Sequence, residues 1–311
     1  MTTDHSADPY RLPRDVVPER YEIRIEPDLG AFTFSGEETV AVTVREPVAE
    51  IVLNAAELQI HEVSVRDARG RALKGTVALE EETERARLSF PETLAPGECW
   101  LTLTFTGALN DQLHGFYRSR YKDASGAERF LAATQFEATD ARRAFPCWDE
   151  PDRKAVFQLT LVIDERLTAV SNTAIVREQA VGPGKKAVAF ADTIKMSTYL
   201  VAFVVGELEA TEPVMAGGTP IRVWCVPGKT RLAKFALEAA AFSLSFFQEY
   251  YGLPYPGGKL DLLAIPDFAS GAMENLGAIT FRETALLVDE GASSHAELER
   301  VADVVAHEIA H

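Results

Sequence analysis

From about Tyr21 to about Glu209 apolar and polar residues alternate with a period of two, in short runs that suit half-buried strands far better than helices. Tyr21-Glu22-Ile23-Arg24-Ile25, Val40-Ala41-Val42-Thr43-Val44 and Trp100-Leu101-Thr102-Leu103-Thr104-Phe105 each turn one face to a core and the other to water. Val156 to Ile163 and Tyr199 to Val205 continue the pattern, and Gly182-Pro183-Gly184-Lys185 marks a turn. That turn lacks the G-x-x-x-x-G-K spacing and following helix of a phosphate-binding loop. This half reads as an all-β, sandwich-like unit.

The texture changes between Thr211 and Pro220, where Pro213, Gly217, Gly218 and Pro220 cluster. Beyond it, Ile221 to Val226 reads as a strand. Thr230 to Tyr251 reads as a long helix with Leu232, Phe235, Ala236, Ala239, Phe242, Phe246 and Tyr250 on its apolar side. Gly252 ends that helix, and Pro254 and Pro256 follow. Leu260 to Ile265 and Ala278 to Phe281 are strand-like. Ser294-His295-Ala296-Glu297 is a capping box, and Leu298, Val301, Ala302, Val305 and Ile309 recur at helical spacing behind it. The expected division is residues 1–212 and 213–311.

The 311 residues exceed what one core usually organises, and a hydrophobic content of 47% is ample for two. A net charge of −16 argues against nucleic acid or an anionic membrane surface as partner, since both attract basic faces. Cys99, Cys147 and Cys225 lie far apart without C-x-x-C spacing, so packed, reduced thiols are expected. The start, Met1-Thr2-Thr3-Asp4-His5-Ser6, has no basic segment followed by an apolar core, and no apolar run approaches membrane-spanning length. A cytoplasmic protein is the expectation.

The last five residues, His307-Glu308-Ile309-Ala310-His311, form the H-E-x-x-H signature of zinc hydrolases. Residues four apart share a helix face, so two imidazoles can address one Zn²⁺ while Glu308 turns toward a water on the metal. A site of two His and one Glu needs a third protein ligand, normally supplied beyond the second His. His61, His114 and His295 have no metal spacing and are read as surface or satisfied histidines.

Two further motifs precede that signature: Gly271-Ala272-Met273-Glu274-Asn275, and the run Gln135-Phe136-Glu137-Ala138-Thr139-Asp140-Ala141-Arg142-Arg143-Ala144-Phe145-Pro146-Cys147-Trp148-Asp149-Glu150-Pro151. In this order the three motifs resemble the M1 family of zinc aminopeptidases, the gluzincins typified by aminopeptidase N. The resemblance extends from about Tyr10 over nearly the whole chain. It implies a mainly β, saddle-like N-terminal domain followed by the first part of an α/β, thermolysin-like catalytic domain. It also implies Zn²⁺ as cofactor, His307 and His311 as ligands, Glu308 as general base, and peptides with a free N-terminus as substrates. Gln135, Glu137, Gly271, Ala272, Met273, Glu274 and Asn275 are the implied substrate-binding residues. Paired carboxylates in a partly closed pocket stabilise a buried ammonium and reject a mid-chain amide, and the small Gly271-Ala272 pair lets a peptide backbone come close. By residue type alone, Glu137 and Glu274 also fit carboxylates paired with Arg142 or Arg143.

In the family a downstream Glu completes the zinc site and a downstream Tyr stabilises the oxyanion. Neither has a counterpart before His311, so the expectation is an incomplete fragment lacking its third ligand. The alternatives are a non-catalytic module that binds peptide N-termini, and one half of a split enzyme.

Overall fold

The structure is a computed structural model that describes residues 11–311. The leader reading at Met1-Thr2-Thr3-Asp4-His5-Ser6, and Tyr10 where the resemblance begins, lie outside the described residues.

The alternating runs become long strands. Val16–Asp28, Thr33–Val44 and Gly97–Ala108 lie side by side in an eight-stranded sheet, with Tyr21 opposite Val40 and Val40 opposite Leu101. Val156–Asp164 joins the other flank of Val16–Asp28 in parallel, so residues far apart in sequence share the sheet centre. The Gly182 to Lys185 turn closes a hairpin between Ile175–Gly182 and Lys185–Phe190 at the sheet edge. A three-stranded sheet of Val48–Asn54, Arg85–Leu94 and Thr76–Glu80 completes this core, and a four-stranded sheet, Thr168–Ser171, Phe203–Gly206, Glu128–Gln135 and Gly115–Lys122, lies between it and the second unit. The strand expected over Tyr199 to Val205 is shorter: Thr198–Leu200 is a 3₁₀ turn, and only Phe203–Gly206 pairs.

The second unit is built on parallel strands Thr219–Cys225, Leu260–Ile265 and Ala278–Arg282, with the short antiparallel strand Ala272–Met273 at one edge. The two-residue strand Glu209–Ala210 already pairs with Thr219–Cys225. Every residue of Leu260–Ile265 is buried because both faces of the sheet are covered. Leu260, Leu262 and Ala264 pack under helices α1 (Lys234–Tyr251) and α2 (His295–Ala310), while Leu263 and Ile265 face the four-stranded sheet.

Helix α1 corrects the sequence reading. A 3₁₀ turn, Thr230–Leu232, precedes it, and the face against the core is Ala236, Leu237, Ala240, Ser243 and Leu244. The expected apolar side is divided: Ala236 is fully buried and Phe235 and Ala239 pack against the core, while Phe242 is 73% exposed, Phe246 49% and Tyr250 71%, their rings stacked along the surface. Helix α2 follows the reading, with Ser294 accepting from the Glu297 amide and Glu297 reaching back to the Ser294 amide. Among the described residues no helix is long and apolar enough to cross a membrane.

Candidate active site

Capping at Ser294 and burial of Val301, Val305 and Ile309 fix the rotation of α2, so that His307 and His311 emerge on its exposed face and Glu308 lies 9% exposed beside the core. The two imidazoles converge, with Nε2 of His307 and Nε2 of His311 3.2 Å apart. Two nitrogens each about 2.0–2.1 Å from a tetrahedral zinc stand roughly 3.3 Å from one another, so the pair fits such an ion. Among the described residues no group of three or more metal-capable side chains converges on one point.

Glu274 lies next to this pair, with Oε1 4.0 Å from His311 Nδ1. Burial pushes the Glu308 carboxyl above its ordinary range, the imidazoles of His307 and His311 pull it down, and the charges of Glu274 and Glu137 push it up. The Glu308 carboxyl therefore senses charges from both units, Glu137 coming from the β-rich side.

Gln135 ends the strand Glu128–Gln135; it is 7% exposed, and its side-chain oxygen has no donor within the protein. Buried amide oxygens are normally satisfied, and this one has no donor. Glu137, two residues on, is exposed. The arginines that could have neutralised the acidic pair are engaged elsewhere: Arg142 with buried Asp149 at 3.0 Å and with Glu84, Arg143 with Asp140 at 2.7 Å and again with Glu84.

Ala272–Met273 is the outermost strand of its sheet. Gly271 offers its carbonyl to the Arg282 amide, and Ala272 and Met273 pair with Phe281 and Thr280, leaving the other backbone edge open for a further strand. The side chains of Met273 and Asn275 point away from any opening. Met273 is 1% exposed in the apolar cluster between the units, and Asn275 donates to Thr280 Oγ1 at 3.0 Å.

Tyr199 is a residue near these carboxylates that residue types alone did not mark. It is half-buried against the same apolar cluster, and burial, then Glu274, then Glu137, raise its phenol above the ordinary value. The run Tyr199 to Val205 gave a strand signal, and nothing in it signalled the charge of two carboxylates from separate segments. Cys147 is fully buried, its thiol raised by that burial, as a packed residue. His61 and His114 bond Thr106 and Gln112, away from the zinc pair.

A β-rich unit packed on a sheet that carries an edge strand and an H-E-x-x-H helix is the arrangement that the comparisons match to a peptidase family. The chain belongs to peptidase family M1: residues 17–200 match the Peptidase M1 N-terminal domain and residues 235–311 the Peptidase family M1 domain. It is 49% identical over 301 residues to aminopeptidase M1-B of Oryza sativa subsp. japonica, covering 97% of this chain and 34% of that protein. Identity to the puromycin-sensitive aminopeptidase of Caenorhabditis elegans is 45% and to human endoplasmic reticulum aminopeptidase 1 is 40%, each over 97% of this chain and 32% of the relative. The chain thus spans about a third of the length of the curated relatives it matches.

Proposed function

We propose that this chain carries the amino-terminus recognition site and two zinc ligands of a metalloaminopeptidase that releases N-terminal residues from peptides. The observation that carries the reading is the convergence of His307 and His311, Nε2 to Nε2 at 3.2 Å, beside Glu274.

In this reading Glu274 and Glu137 take the α-ammonium of a peptide, and Gln135 accepts one of its N–H bonds with the oxygen that otherwise has no partner. The open edge of Ala272–Met273 aligns the first peptide unit as an added strand. His307 and His311 hold Zn²⁺, which when bound polarises the scissile carbonyl and lowers the pKa of a water toward neutrality. Glu308 takes the attacking water's proton and delivers it to the departing amine, a task suited to a carboxyl whose burial has raised its affinity for protons. Zinc sites of this type take a further protein ligand beside the two imidazoles. We place the division between the units near residue 212, and the protein in the cytoplasm, where free, buried Cys99, Cys147 and Cys225 stay reduced.

A non-catalytic module for peptide N-termini is the second reading; it draws on the acidic charges of Glu274 and Glu137 and the unpartnered Gln135 oxygen and needs no metal. Zinc content and hydrolysis of a leucyl chromogenic amide separate the two. Zinc-dependent cleavage that disappears in Glu308→Ala supports the peptidase; binding of leucinamide without zinc or cleavage supports the module. Failure to bind either zinc or leucinamide sinks both.

A further inference from the structure

The turn that follows Glu274 is gripped by its own unit and tied through it to the β-rich unit. Gly277 donates its amide to Tyr255 Oη at 2.9 Å and offers its carbonyl to Lys259 Nζ at 2.7 Å. The same ammonium donates to the Ser171 carbonyl at 2.7 Å and meets the Asp261 carboxylate at 2.6 Å. An ammonium has three N–H bonds, and here three acceptors from three segments take them. Its side chain is 16% exposed and that of Asp261 7%, so the pair is largely removed from water. Burying such a pair is unfavourable unless every bond is made, as it is here.

The neighbouring residue repeats the grip. Asn172 donates through Nδ2 to the carbonyls of Leu276 at 2.9 Å and Leu200 at 2.8 Å, and its Oδ1 accepts from the Ala202 amide at 2.9 Å. Leu276 is two residues beyond Glu274, and Leu200 is adjacent to Tyr199. Ser171 and Asn172 thus tie the Glu274 turn to the segment bearing Tyr199, itself hydrogen-bonded through Phe203–Gly206 to the strand that ends at Gln135. Neither Lys259 nor Asn172 has a part in the chemistry described above.

We infer that Lys259 and Asn172 are positioning residues that hold Glu274 in register with Glu137 and Tyr199 across the junction, and so set the preference for a free α-ammonium over a blocked N-terminus. The inference rests on the amine-binding reading of Glu274 and Glu137. Two carboxylates from different units grip one cation only while their separation is held to a fraction of an ångström, and long backbone-to-backbone ties through buried donors supply that constraint.

The test uses the full chain, with leucinamide and N-acetyl-leucinamide as probes in NMR titrations, and amide hydrogen exchange as a second readout. In Lys259→Met and Asn172→Ser the preference for leucinamide is expected to fall at least tenfold. Exchange over residues 271–277 rises, while the central strand Gly97–Ala108 stays protected. A folded variant that keeps both the preference and the slow exchange overturns the inference. Where Lys259→Met does not fold, Asn172→Ser, which keeps a short polar side chain, decides. A parent chain that binds neither probe sinks the amine-binding reading instead. The positioning role then stands or falls on whether exchange over 271–277 rises in folded Asn172→Ser.

Discussion

A β-carbon on Gly277 would lie 2.1 Å from the carbonyl oxygen of Asn172. Gly277 also has φ of +75°, a region that costs a side chain energy even in open space. Gly277→Ala is therefore expected to lower unfolding free energy by about 2–4 kcal/mol, combining backbone strain with the displacement of a tightly packed strand end. Chemical denaturation checks this; a loss below about 0.5 kcal/mol means that the two units separate freely at this point.

Helix α1 gives a contrast between neighbours. Phe242 is 73% exposed while Ala240 is fully buried. Replacing Phe242, Phe246 and Tyr250 together by Ser should leave stability within roughly 0.5 kcal/mol per site and reduce binding of a hydrophobic dye. Ala240→Leu should destabilise by about 1–3 kcal/mol through overpacking. The reverse pattern would restore the face read from sequence.

Glu38 supplies a pH dependence. Its side chain is 0% exposed on Thr33–Val44, neither carboxyl oxygen has a partner, and burial raises its pKa well above the ordinary 4.5. The folded state therefore keeps a proton that the unfolded chain releases, so the favourable contribution is fully present below the unfolded value and is lost as pH rises toward the folded one. Stability of the parent should decline from about pH 5 upward relative to Glu38→Gln, which has no proton to lose. Thermal melts from pH 5 to 8 measure the difference, and parallel curves would mean that Glu38 is solvated or paired.

For the imidazole pair the expected outcome is metal-specific. His307→Ala should weaken zinc binding at least tenfold with little change in melting temperature without metal, because His307 is exposed. Equal zinc affinity in parent and variant, by competition with a chromogenic chelator, would place the metal elsewhere.

Much of this was legible in one dimension. Period-two runs gave the strands of the first unit, and the Ser294–Glu297 cap with Val301, Val305 and Ile309 gave α2 within a residue of its observed limits. These features are local: alternation and capping are settled by neighbours within a few positions. The division of α1 was not legible, because Ala236 and Phe242 read as one apolar face while the structure buries the first and exposes the second. Tyr199 escaped for a similar reason, since its partners Glu274 and Glu137 lie on other segments.

The sequence by itself determined which chemistry the chain can attempt. Residues four apart on a helix must share a face, so His307 and His311 could be paired before any coordinates. The tertiary structure alone decided that Glu274 lies beside that pair, and that Lys259 and Asn172 tie the Glu274 turn to the β-rich unit. Those ties cross from one unit to the other, and long-range proximity is a product of packing two covered sheet faces together rather than of any local pattern.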